Sequence, residues 1–347
     1  MGDVVEFWAP GQVRLVPEDP EPLGATDVRV ATVYSGISAG TELTAYRGSN
    51  PYLTKTWDES ARLFVDGEAT FAYPVRGWGY SEVGCVVEVG SQAHGLVVGV
   101  LVHGIWGHRS QAVRPAEALS WRRIPEGLDP VAGTFARVGS IALNAVLAAD
   151  VRLGEHVAIF GQGVIGLLAT RLAGLAGGRV VAVDAIPQRR DLAVSMGAQA
   201  AIPPEGAGGA GAAIRGLVPG GVDCAIELSG STHALHEAIR AVRPDGLVAA
   251  SGFYQGAAEG LRLGEEFHHN RVRIVASQIG GVPAGLAGRW DQPRLVRTVM
   301  GLIQRGSLDV APLVTDVVDA ADVAEIFHRL DAGDPAIVQA VLRFEQP

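Results

Sequence analysis

The most informative chemical pattern in this chain of 347 residues is a glycine-rich turn followed by an acidic residue. The turn reads Gly161-Gln162-Gly163-Val164-Ile165-Gly166, and Asp184 follows 18 residues after its last glycine. The three glycines permit a tight turn, close approach of the backbone to a pyrophosphate, and close packing of a helix on a strand. Free N–H groups at the helix N-terminus stabilise a phosphate there. The pattern therefore predicts a dinucleotide site, with Asp184 accepting hydrogen bonds from the adenosine ribose.

The same acidic residue indicates which dinucleotide binds. The charge of Asp184 would repel a 2′-phosphate, so NAD(H) is favoured over NADP(H). Arg189 and Arg190 keep the alternative open, because an arginine at this position can receive that phosphate. Turns after two later strands are expected to border the ribose and the nicotinamide, and they contain Ser229, Gly230, Gly252 and Phe253.

The elements around the turn alternate as they do in a parallel sheet covered by helices. Short apolar strands at 156–160, 179–183, 200–202, 222–228, 247–251 and 272–276 are separated by helical stretches. This alternation predicts an α/β, doubly wound Rossmann domain with a six-stranded parallel sheet. The N-terminal third instead has short alternating runs, such as 28–33, 83–89 and 97–102, which predict an irregular β-rich domain. We therefore predict two domains, residues 1–130 with 282–347, and residues 131–281.

The composition excludes several other classes of protein. A formal net charge of −9 disfavours binding to nucleic-acid phosphates or to an anionic membrane surface. Cys85 and Cys224 are the two cysteines, too few for a disulfide framework or a four-thiolate zinc site. No secretory signal pattern and no run of 18 apolar residues occurs, so we expect a cytoplasmic protein without a membrane span.

Beyond the dinucleotide turn, the segments 35–42, 79–84 and 86–90 resemble the medium-chain dehydrogenase/reductase superfamily. The stretch 277–281 together with Arg289-Trp290-Asp291 is similar to a subgroup labelled zinc-binding dehydrogenase. The resemblance covers nearly the whole chain. It implies a GroES-like irregular β-barrel domain that joins the Rossmann domain, and a homodimer or homotetramer that acts on a small-molecule substrate.

The resemblance also implies three further contacts at the nicotinamide end of the cofactor. Ser140 matches a small hydroxyl residue of the family that lies near the nicotinamide. Ser277 and Ile279 match positions whose main-chain groups contact the carboxamide.

The positions that hold the catalytic zinc in the family carry no zinc ligand in this sequence. Ser38 stands where a cysteine is expected, Tyr80 where a histidine is expected, and Ala136 where a third ligand is expected. Neutral serine, tyrosine and alanine are not ordinary zinc donors. The resemblance therefore implies the zinc-free branch, with no catalytic metal. Glu82, close to Tyr80, is predicted to be an exposed strand residue.

Another group must then stabilise the developing alkoxide, or the reaction must not need it. Tyr80 can donate a hydrogen bond to a carbonyl oxygen and act as general acid. Arg137 can supply a fixed positive charge, Glu42 can act as a base or orient these two residues, and His108 is a titratable group near the expected cleft. Structural interpretations stay open: Tyr80 fills the volume of the missing metal, and Arg137 pairs with Glu42.

On the substrate side the candidates are Ser38, Tyr52, Trp57 and Trp78. Aromatic faces mixed with hydrogen-bonding groups suit a polyol, a sugar-like molecule or a larger amphipathic alcohol, although the aromatics could equally form ordinary core. We therefore expect a zinc-independent NAD(H)-dependent dehydrogenase or carbonyl reductase. Two alternatives remain, a zinc-free reductase of activated C=C bonds in quinones or enones, and a non-catalytic NAD(H)-binding sensor.

Overall fold

A computed structural model describes residues 2–67 and 69–345 of the chain. Its strands, in chain order, are β1 (Gly2–Ala9), β2 (Gln12–Glu18), β3 (Asp27–Gly36), β4 (Lys55–Asp58), β5 (Leu63–Asp66), β6 (Val75–Arg76), β7 (Glu82–Val89), β8 (Leu101–Gly104), β9 (Gln111–Pro115), β10 (His156–Phe160), β11 (Arg179–Val183), β12 (Ala200–Ile202), β13 (Val222–Glu227), β14 (Val242–Ala250), β15 (Arg273–Ala276), β16 (Val314–Asp319) and β17 (Gln339–Arg343).

The α-helices are α1 (Ala39–Arg47), α2 (Ala116–Ser120), α3 (Phe135–Ala148), α4 (Val164–Leu175), α5 (Pro187–Ser195), α6 (Gly209–Leu217), α7 (Thr232–Ala241), α8 (Gln292–Gln304) and α9 (Val323–Asp331). Short 3₁₀ turns occur at Pro51–Leu53, Pro130–Thr134, Ala284–Leu286, Ala311–Leu313 and Ala320–Asp322, and a π turn at Leu263–Phe267.

The chain folds into two compact units, one of which is inserted in the other. The first unit contains the residues up to Arg137 and those from Val310 onward, and the second runs from Val138 to Asp309. The divisions thus lie at 137/138 and 309/310, whereas the sequence placed them at 130/131 and 281/282. Residues 282–309 belong to the second unit because α8 packs on α3, where a Cβ added at Gly139 would lie 2.5 Å from Val299.

The first unit is built mainly from antiparallel β-structure. Its larger sheet has the order β16-β17-β3-β7-β8, and β9 also pairs with β3. In this sheet β16 and β17 are parallel and the other pairs are antiparallel. A three-stranded sheet, β2-β1-β6, and the hairpin β4-β5 complete the strands of the unit. Phe327 of α9 packs on Phe7 of β1 with ring centroids 5.1 Å apart, which fixes the C-terminal helix on the N-terminal strands.

The second unit contains the parallel sheet that the sequence predicted. Its order is β12-β11-β10-β13-β14-β15, and every neighbouring pair is parallel. The side chains of Ala158 and Phe160 on β10 pack with Ile214 of α6 and Ile239 of α7 in one buried cluster. Since β10 is apolar throughout and covered by helices, its side chains need no alternation of polar and apolar residues. The predicted α/β, doubly wound fold class is confirmed, together with a second, β-rich domain.

One predicted strand is shorter than expected. The run 97–102 is a strand only from Leu101 onward, and Val97 and Val98 are 64% and 62% exposed. The backbone turns at Gly99, whose φ of 93° is a left-handed conformation that glycine adopts easily. The turn therefore outweighs the strand propensity of the valines.

One stretch, Pro130–Ala148, is long and apolar enough to cross a membrane by length and composition. However, 72% of its apolar window is buried within the protein, and the core helix of a globular domain meets the same test. A single stretch of this kind is weak evidence for a membrane span.

Candidate active site

In the first unit, the structure brings together two of the residues that stand at the family's zinc-ligand positions. Ser38 immediately precedes α1, and Tyr80 lies two residues before the first residue of β7. The Ser38 Oγ and the Tyr80 hydroxyl form a hydrogen bond with each other. The Thr41 Oγ1 lies 3.3 Å from the same phenolic oxygen. A cluster of three hydroxyl groups therefore occupies this position, and two of them hold the third in place.

The surroundings keep the Tyr80 phenol protonated at neutral pH. Burial raises the pKa of Tyr80 above its ordinary value, although the hydrogen bonds from Ser38 and Thr41 and the charge of Arg137 act in the opposite direction. Burial also lowers the pKa of the Arg137 guanidinium, whereas an ionised Tyr80 would act in the opposite direction. Because an arginine stays protonated in proteins, Arg137 presents a positive charge to the neutral phenol.

Behind this cluster lies a fully buried chain of hydrogen bonds. Glu42 of α1 accepts the Ser38 backbone N–H at 2.9 Å with one carboxylate oxygen, and its other oxygen lies 2.7 Å from His108 Nε2. The second ring nitrogen of His108 lies 2.6 Å from the Ser35 Oγ. The Ser35 hydroxyl donates to Glu82 at 3.2 Å. Glu42, His108, Ser35 and Glu82 are each completely buried.

With Glu42 and Glu82 both ionised, the hydrogen bonds of this chain are satisfied by a protonated His108. The Ser35 hydroxyl has one proton and donates it to Glu82, so it accepts from His108 Nδ1. The Glu42 carboxylate accepts from Nε2, which makes both ring nitrogens donors and the ring an imidazolium. Burial alone would lower the pKa of His108, but the charge and hydrogen bond of Glu42, together with the charge of Glu82, raise it above its ordinary value.

Glu82 is the other ionisable member, and its predicted exposure is wrong. Burial raises the pKa of Glu82, whereas the charge of His108 and the backbone N–H groups of Trp106 and Ser81 lower it. The Trp106 N–H donates at 2.7 Å and the Ser81 N–H at 3.1 Å. By contrast, Glu88 near the other end of β7 is exposed. The first residues of β7 are buried. The alternation of polar and apolar residues along the strand did not indicate that Glu82 would be among them.

The structure gives Glu42 and His108 a different position from that of Tyr80, although the sequence analysis named all three as catalytic candidates. Glu42 bonds with His108 and with the Ser38 backbone, and the Tyr80 hydroxyl bonds instead with Ser38 and Thr41. His108 is buried beneath the backbone, because a Cβ added at Gly79 would lie 2.9 Å from its ring. Glu42 and His108 therefore position the segments that carry Ser38 and Tyr80, and they have no surface from which to touch a substrate.

The sequence analysis did not identify a group of three residues, His103, Trp121 and Arg122, whose arginine interacts electrostatically with Arg137. Burial, and secondarily the charge of Arg122, lower the pKa of His103 to about 3, so this histidine is neutral. Arg122 lies over the Trp121 ring at 4.3 Å from its centroid. Burial lowers the pKa of Arg122, and the charge of Arg137 lowers it further. The run Trp121-Arg122-Arg123 was the signal that could have indicated a cationic group here.

In the second unit, the glycine-rich turn lies where β10 ends and α4 begins. A Cβ at Gly166 would lie 1.8 Å from the Gly161 carbonyl oxygen, so only glycine permits this contact of helix and turn. A Cβ at Gly163 would meet no atom within 4 Å, so the space beside it is open. No side chain caps the first turn of α4, whose Ncap residue is Gly163. Free N–H groups facing open space at a helix N-terminus fit a pyrophosphate.

Asp184 follows β11 at the same edge of the sheet. One of its carboxylate oxygens accepts the Gln162 N–H at 2.6 Å, and the other accepts the Ile186 N–H at 2.8 Å. Each oxygen retains a second lone pair that can accept from a ribose hydroxyl. The Arg190 guanidinium donates to the carbonyls of Asp184 and Ala185 at 2.8 and 2.9 Å. Arg189 is half-buried on α5 and has other interactions.

A buried carboxylate that the sequence analysis missed, Glu227, organises the other turns at this edge. It ends β13, and it accepts hydrogen bonds from the Ser229 N–H at 2.7 Å, the Gly230 N–H at 3.2 Å and the Tyr254 hydroxyl. Burial raises the pKa of Glu227, and these donors act in the opposite direction. An acidic residue at the end of an apolar strand was the available signal.

The glycines of these turns are in close contact with one another. A Cβ at Gly252 would lie 2.3 Å from the Gly230 nitrogen, and a Cβ at Gly161 would lie 2.8 Å from the Ser229 nitrogen. A Cβ at Gly230 would lie 2.9 Å from the Phe253 carbonyl oxygen. The structure therefore brings together the turns after β10, β13 and β14, as the sequence predicted from the parallel sheet.

The residues expected at the nicotinamide end are also found in this unit. Ser140 and Ser277 are buried. The Asn144 amide donates to the Ser277 Oγ at 3.4 Å and to the Gly281 carbonyl at 3.0 Å, which ties the segment after β15 to α3. The Ile279 carbonyl accepts from the Gln292 side chain at 2.9 Å. The Asn144 Oδ1 is buried and lacks a hydrogen-bond partner among the described residues.

The aromatic residues of the first unit form a continuous series of ring contacts. Trp57 and Phe64 lie across the β4-β5 hairpin from each other, with centroids 5.0 Å apart. Tyr52 contacts Phe64 at 5.5 Å and Phe71 at 5.9 Å, and Phe71 contacts Trp78 at 5.2 Å. Phe64 is 43% exposed. The series, here called the aromatic ladder, runs from an exposed hairpin to within two residues of Tyr80.

The chain is similar in sequence and in fold to known dehydrogenases. The family described as "Zinc-binding dehydrogenase" matches residues 164–292. The D-guloside 3-dehydrogenase of Escherichia coli (strain K12) is 29% identical over 329 residues, which cover 92% of this chain and 93% of the relative.

Two solved structures share the fold over 99% of both chains at 22% identity. They are 2R,3R-butanediol dehydrogenase from Bacillus subtilis, with a TM-score of 0.79, and a zinc-binding dehydrogenase from Sinorhizobium meliloti 1021 bound to NADP, with a TM-score of 0.77.

Two glycines of the turn give separable expectations. Gly163→Ala should change the free energy of unfolding of the free protein by less than about 0.5 kcal/mol, because the new Cβ enters open space. It should weaken NADH binding by about tenfold or more, because the pyrophosphate must approach the backbone there. Gly166→Ala should cost about 1–3 kcal/mol in stability, because its Cβ collides with a carbonyl. Denaturant unfolding and fluorescence titration with NADH measure both. Equal destabilisation by the two variants would contradict the assignment.

The buried pair predicts a pH-dependent loss of stability. The pKa of His108 is raised in the folded protein, so its contribution to stability is complete below about pH 6.5, the ordinary histidine value, and is lost as the pH rises through the folded pKa. Glu42→Gln should therefore destabilise by about 3–5 kcal/mol at pH 6 and by less at higher pH. Glu88→Gln, which alters an exposed carboxylate of the same unit, is the matched control. A difference that does not change with pH would contradict this contribution from the titration of His108.

Proposed function

Because this chain belongs to the medium-chain dehydrogenase/reductase superfamily, among its zinc-type alcohol dehydrogenase-like proteins, we propose that it transfers a hydride between NAD(H) and a secondary alcohol or carbonyl without a catalytic zinc ion. The observation that carries the zinc-free part is the hydrogen bond between the hydroxyls of Ser38 and Tyr80. The two positions hold neutral hydroxyl groups, which are poor ligands for zinc. The residues present therefore do not fit the metal.

The proposed chemistry uses the phenol of Tyr80 as the acid. When bound, the nicotinamide ring supplies or accepts the hydride. Tyr80 donates its hydrogen to the oxygen of a carbonyl substrate, while the Ser38 hydroxyl donates to the phenolic oxygen and stabilises the charge that develops there. Arg137 adds a positive charge that interacts with Tyr80. In the oxidation direction the same groups accept the alcohol proton.

The proposed substrate is a polyol or a sugar-like secondary alcohol. The aromatic ladder supports this, because aromatic faces pack on carbon-bearing surfaces and Tyr52 and Trp57 add polar edges. The Trp78 Nε1 is buried and has no hydrogen-bond partner among the described residues, so a substrate hydroxyl could accept from it. The names of the guloside and butanediol dehydrogenases also support an alcohol substrate.

The proposed activity is tested by following NADH in the presence of secondary alcohols, sugars and glycosides, quinones and enones. Turnover of alcohols or their ketones supports the proposal, whereas turnover of quinones or enones alone would assign the C=C reductase. Tight NADH binding without turnover of any compound would favour a sensor. Stoichiometric zinc that is lost together with activity on chelation, and that the Ser38→Ala variant fails to bind, would overturn the zinc-free mechanism.

Removing the proposed acid should affect the chemical step alone. Tyr80→Phe should lower kcat by about 10²–10⁴-fold and leave the dissociation constant for NADH unchanged. Tyr73→Phe is the matched control, since it removes the hydroxyl that donates to the Ala45 carbonyl in the same unit without altering the Ser38 pair. Steady-state kinetics and NADH titration distinguish the two. A Tyr80→Phe enzyme with normal kcat would show that the tyrosine only fills space.

The choice of cofactor rests on the charge of Asp184. NADH should raise the melting temperature more than NADPH does, because the carboxylate repels a 2′-phosphate. Asp184→Asn removes the charge and should change the ratio of the two affinities by at least about tenfold toward NADPH. Asp191→Asn, on the exposed side of α5, should leave the ratio unchanged. A larger shift with NADPH in the unaltered protein would reverse the choice, and NADP is the ligand in the Sinorhizobium meliloti structure.

A further inference from the structure

We propose that the second unit binds a divalent transition metal between α7 and the π turn, at His236, Glu265 and Glu266. One ring nitrogen of His236 and one carboxylate oxygen of each glutamate lie within 4.8 Å of one another. Imidazole with two carboxylates is a ligand set that suits Zn²⁺ and its neighbours in the first transition row. None of these residues belongs to the dinucleotide turn or to the hydroxyl cluster, so the site is independent of the proposed reaction.

Two orphaned polar atoms point to a ligand at this place. His236 is 7% exposed, and its Nδ1 is buried without a hydrogen-bond partner among the described residues. The Glu266 Oε2 is likewise buried and unpartnered within the described part of the chain. Buried polar atoms of native proteins are almost always satisfied. Both atoms belong to residues of the same small cluster, so a cation held by His236 Nδ1 and Glu266 Oε2 would satisfy both.

The backbone of the π turn explains how adjacent glutamates can reach one point. Successive residues of a regular helix point about 100° apart, which would separate their carboxylates. Glu265 departs from helical geometry, with φ −95° and ψ −124°, so the two side chains are not held to that angle. Zinc–ligand distances of about 2.0–2.2 Å require ligand atoms closer together than 4.8 Å. The exposed side chain of Glu265 can move to provide this contraction.

The arginines around the cluster leave ligand atoms available. Arg240 Nε donates to Glu266 Oε1 at 3.2 Å, which leaves Oε2 of that carboxylate for the metal. Arg262 Nη1 lies 3.6 Å from Glu265 Oε1. Hydrogen bonds from outer groups commonly orient the carboxylates of a metal site. A bound metal would fix the π turn to α7, and water would complete its coordination.

The test uses the full-length protein after removal of metals with a chelator. Titration with Zn²⁺ by calorimetry should show one saturable site, and Co²⁺ should give the visible absorption of a low-coordinate site with a nitrogen ligand. His236→Gln should abolish both signals. His233→Gln changes an exposed histidine on the same helix and should keep them.

The outcomes distinguish this site from the proposed catalytic centre. Zn²⁺ should raise the melting temperature of the unaltered protein and of Tyr80→Phe, but not that of His236→Gln or of Glu266→Gln. If His236→Gln fails to fold, the Glu266→Gln variant, which alters a partly exposed residue, supplies the same comparison. Absence of saturable Zn²⁺ and Co²⁺ binding, or equal binding by all variants, would overturn the proposal and leave a water molecule between the orphaned atoms. Neither result depends on whether the protein turns over an alcohol.

Discussion

The buried contact between Glu42 and His108 is the interaction on which the candidate site of the first unit depends. It connects segments that are 66 residues apart in the sequence. Glu42 holds the backbone N–H of Ser38, and the His108 backbone N–H donates to the Trp78 carbonyl at 3.2 Å. The pair therefore orients Ser38 and Tyr80 of the hydroxyl cluster, since Tyr80 lies two residues after Trp78. The raised pKa of His108 favours a positive charge beside Glu42, which offsets part of the cost of burying that carboxylate.

A buried carboxylate has the same kind of role in the second unit. Glu227 lies at the end of a central strand, where desolvation disfavours its charged form. Backbone and hydroxyl donors from the next two turns surround it and compensate for that cost. Its benefit is therefore geometric: it holds the Ser229-Gly230 turn against the turn that contains Gly252. Both candidate sites consequently rely on acidic groups that act on the protein backbone, at positions where loops must be held in one conformation.

The sequence predicted the features that depend on local chemistry. The glycine-rich turn was identified because each glycine is required by its immediate surroundings. A Cβ at Gly166 would collide with the Gly161 carbonyl, and the space beside Gly163 is open. The six strands of the parallel sheet were identified because strands buried on both faces read as short apolar runs. Convergence of the turns at one edge followed from the parallel topology alone.

Features that depend on pairing between distant segments were missed. Glu82 was expected at the surface, because the alternation along β7 does not show that Ser35 of β3 faces it in the sheet register. The partner of Glu42 was not identified, because nothing local to α1 specifies a histidine that follows β8. Residues 282–309 were assigned to the first domain, whereas they belong to the second unit. The reason is related, because the packing of Val299 on Gly139 joins positions 160 residues apart. Propensity and periodicity describe segments, whereas these three features arise from contacts.

The substitution of hydroxyl groups for metal ligands has a consequence for the direction of the proposed reaction. A zinc ion lowers the pKa of a bound alcohol, so that the alkoxide forms near neutral pH. In the proposed site the acid is a phenol whose pKa burial raises further. Such a group is protonated at neutral pH, which suits donation to a carbonyl oxygen, and it accepts a proton from an alcohol only when it is ionised. The charge of Arg137 opposes the effect of burial but does not cancel it. The chemistry of Tyr80 therefore favours carbonyl reduction at neutral pH, and alcohol oxidation would be favoured increasingly as the pH rises toward the pKa of the phenol.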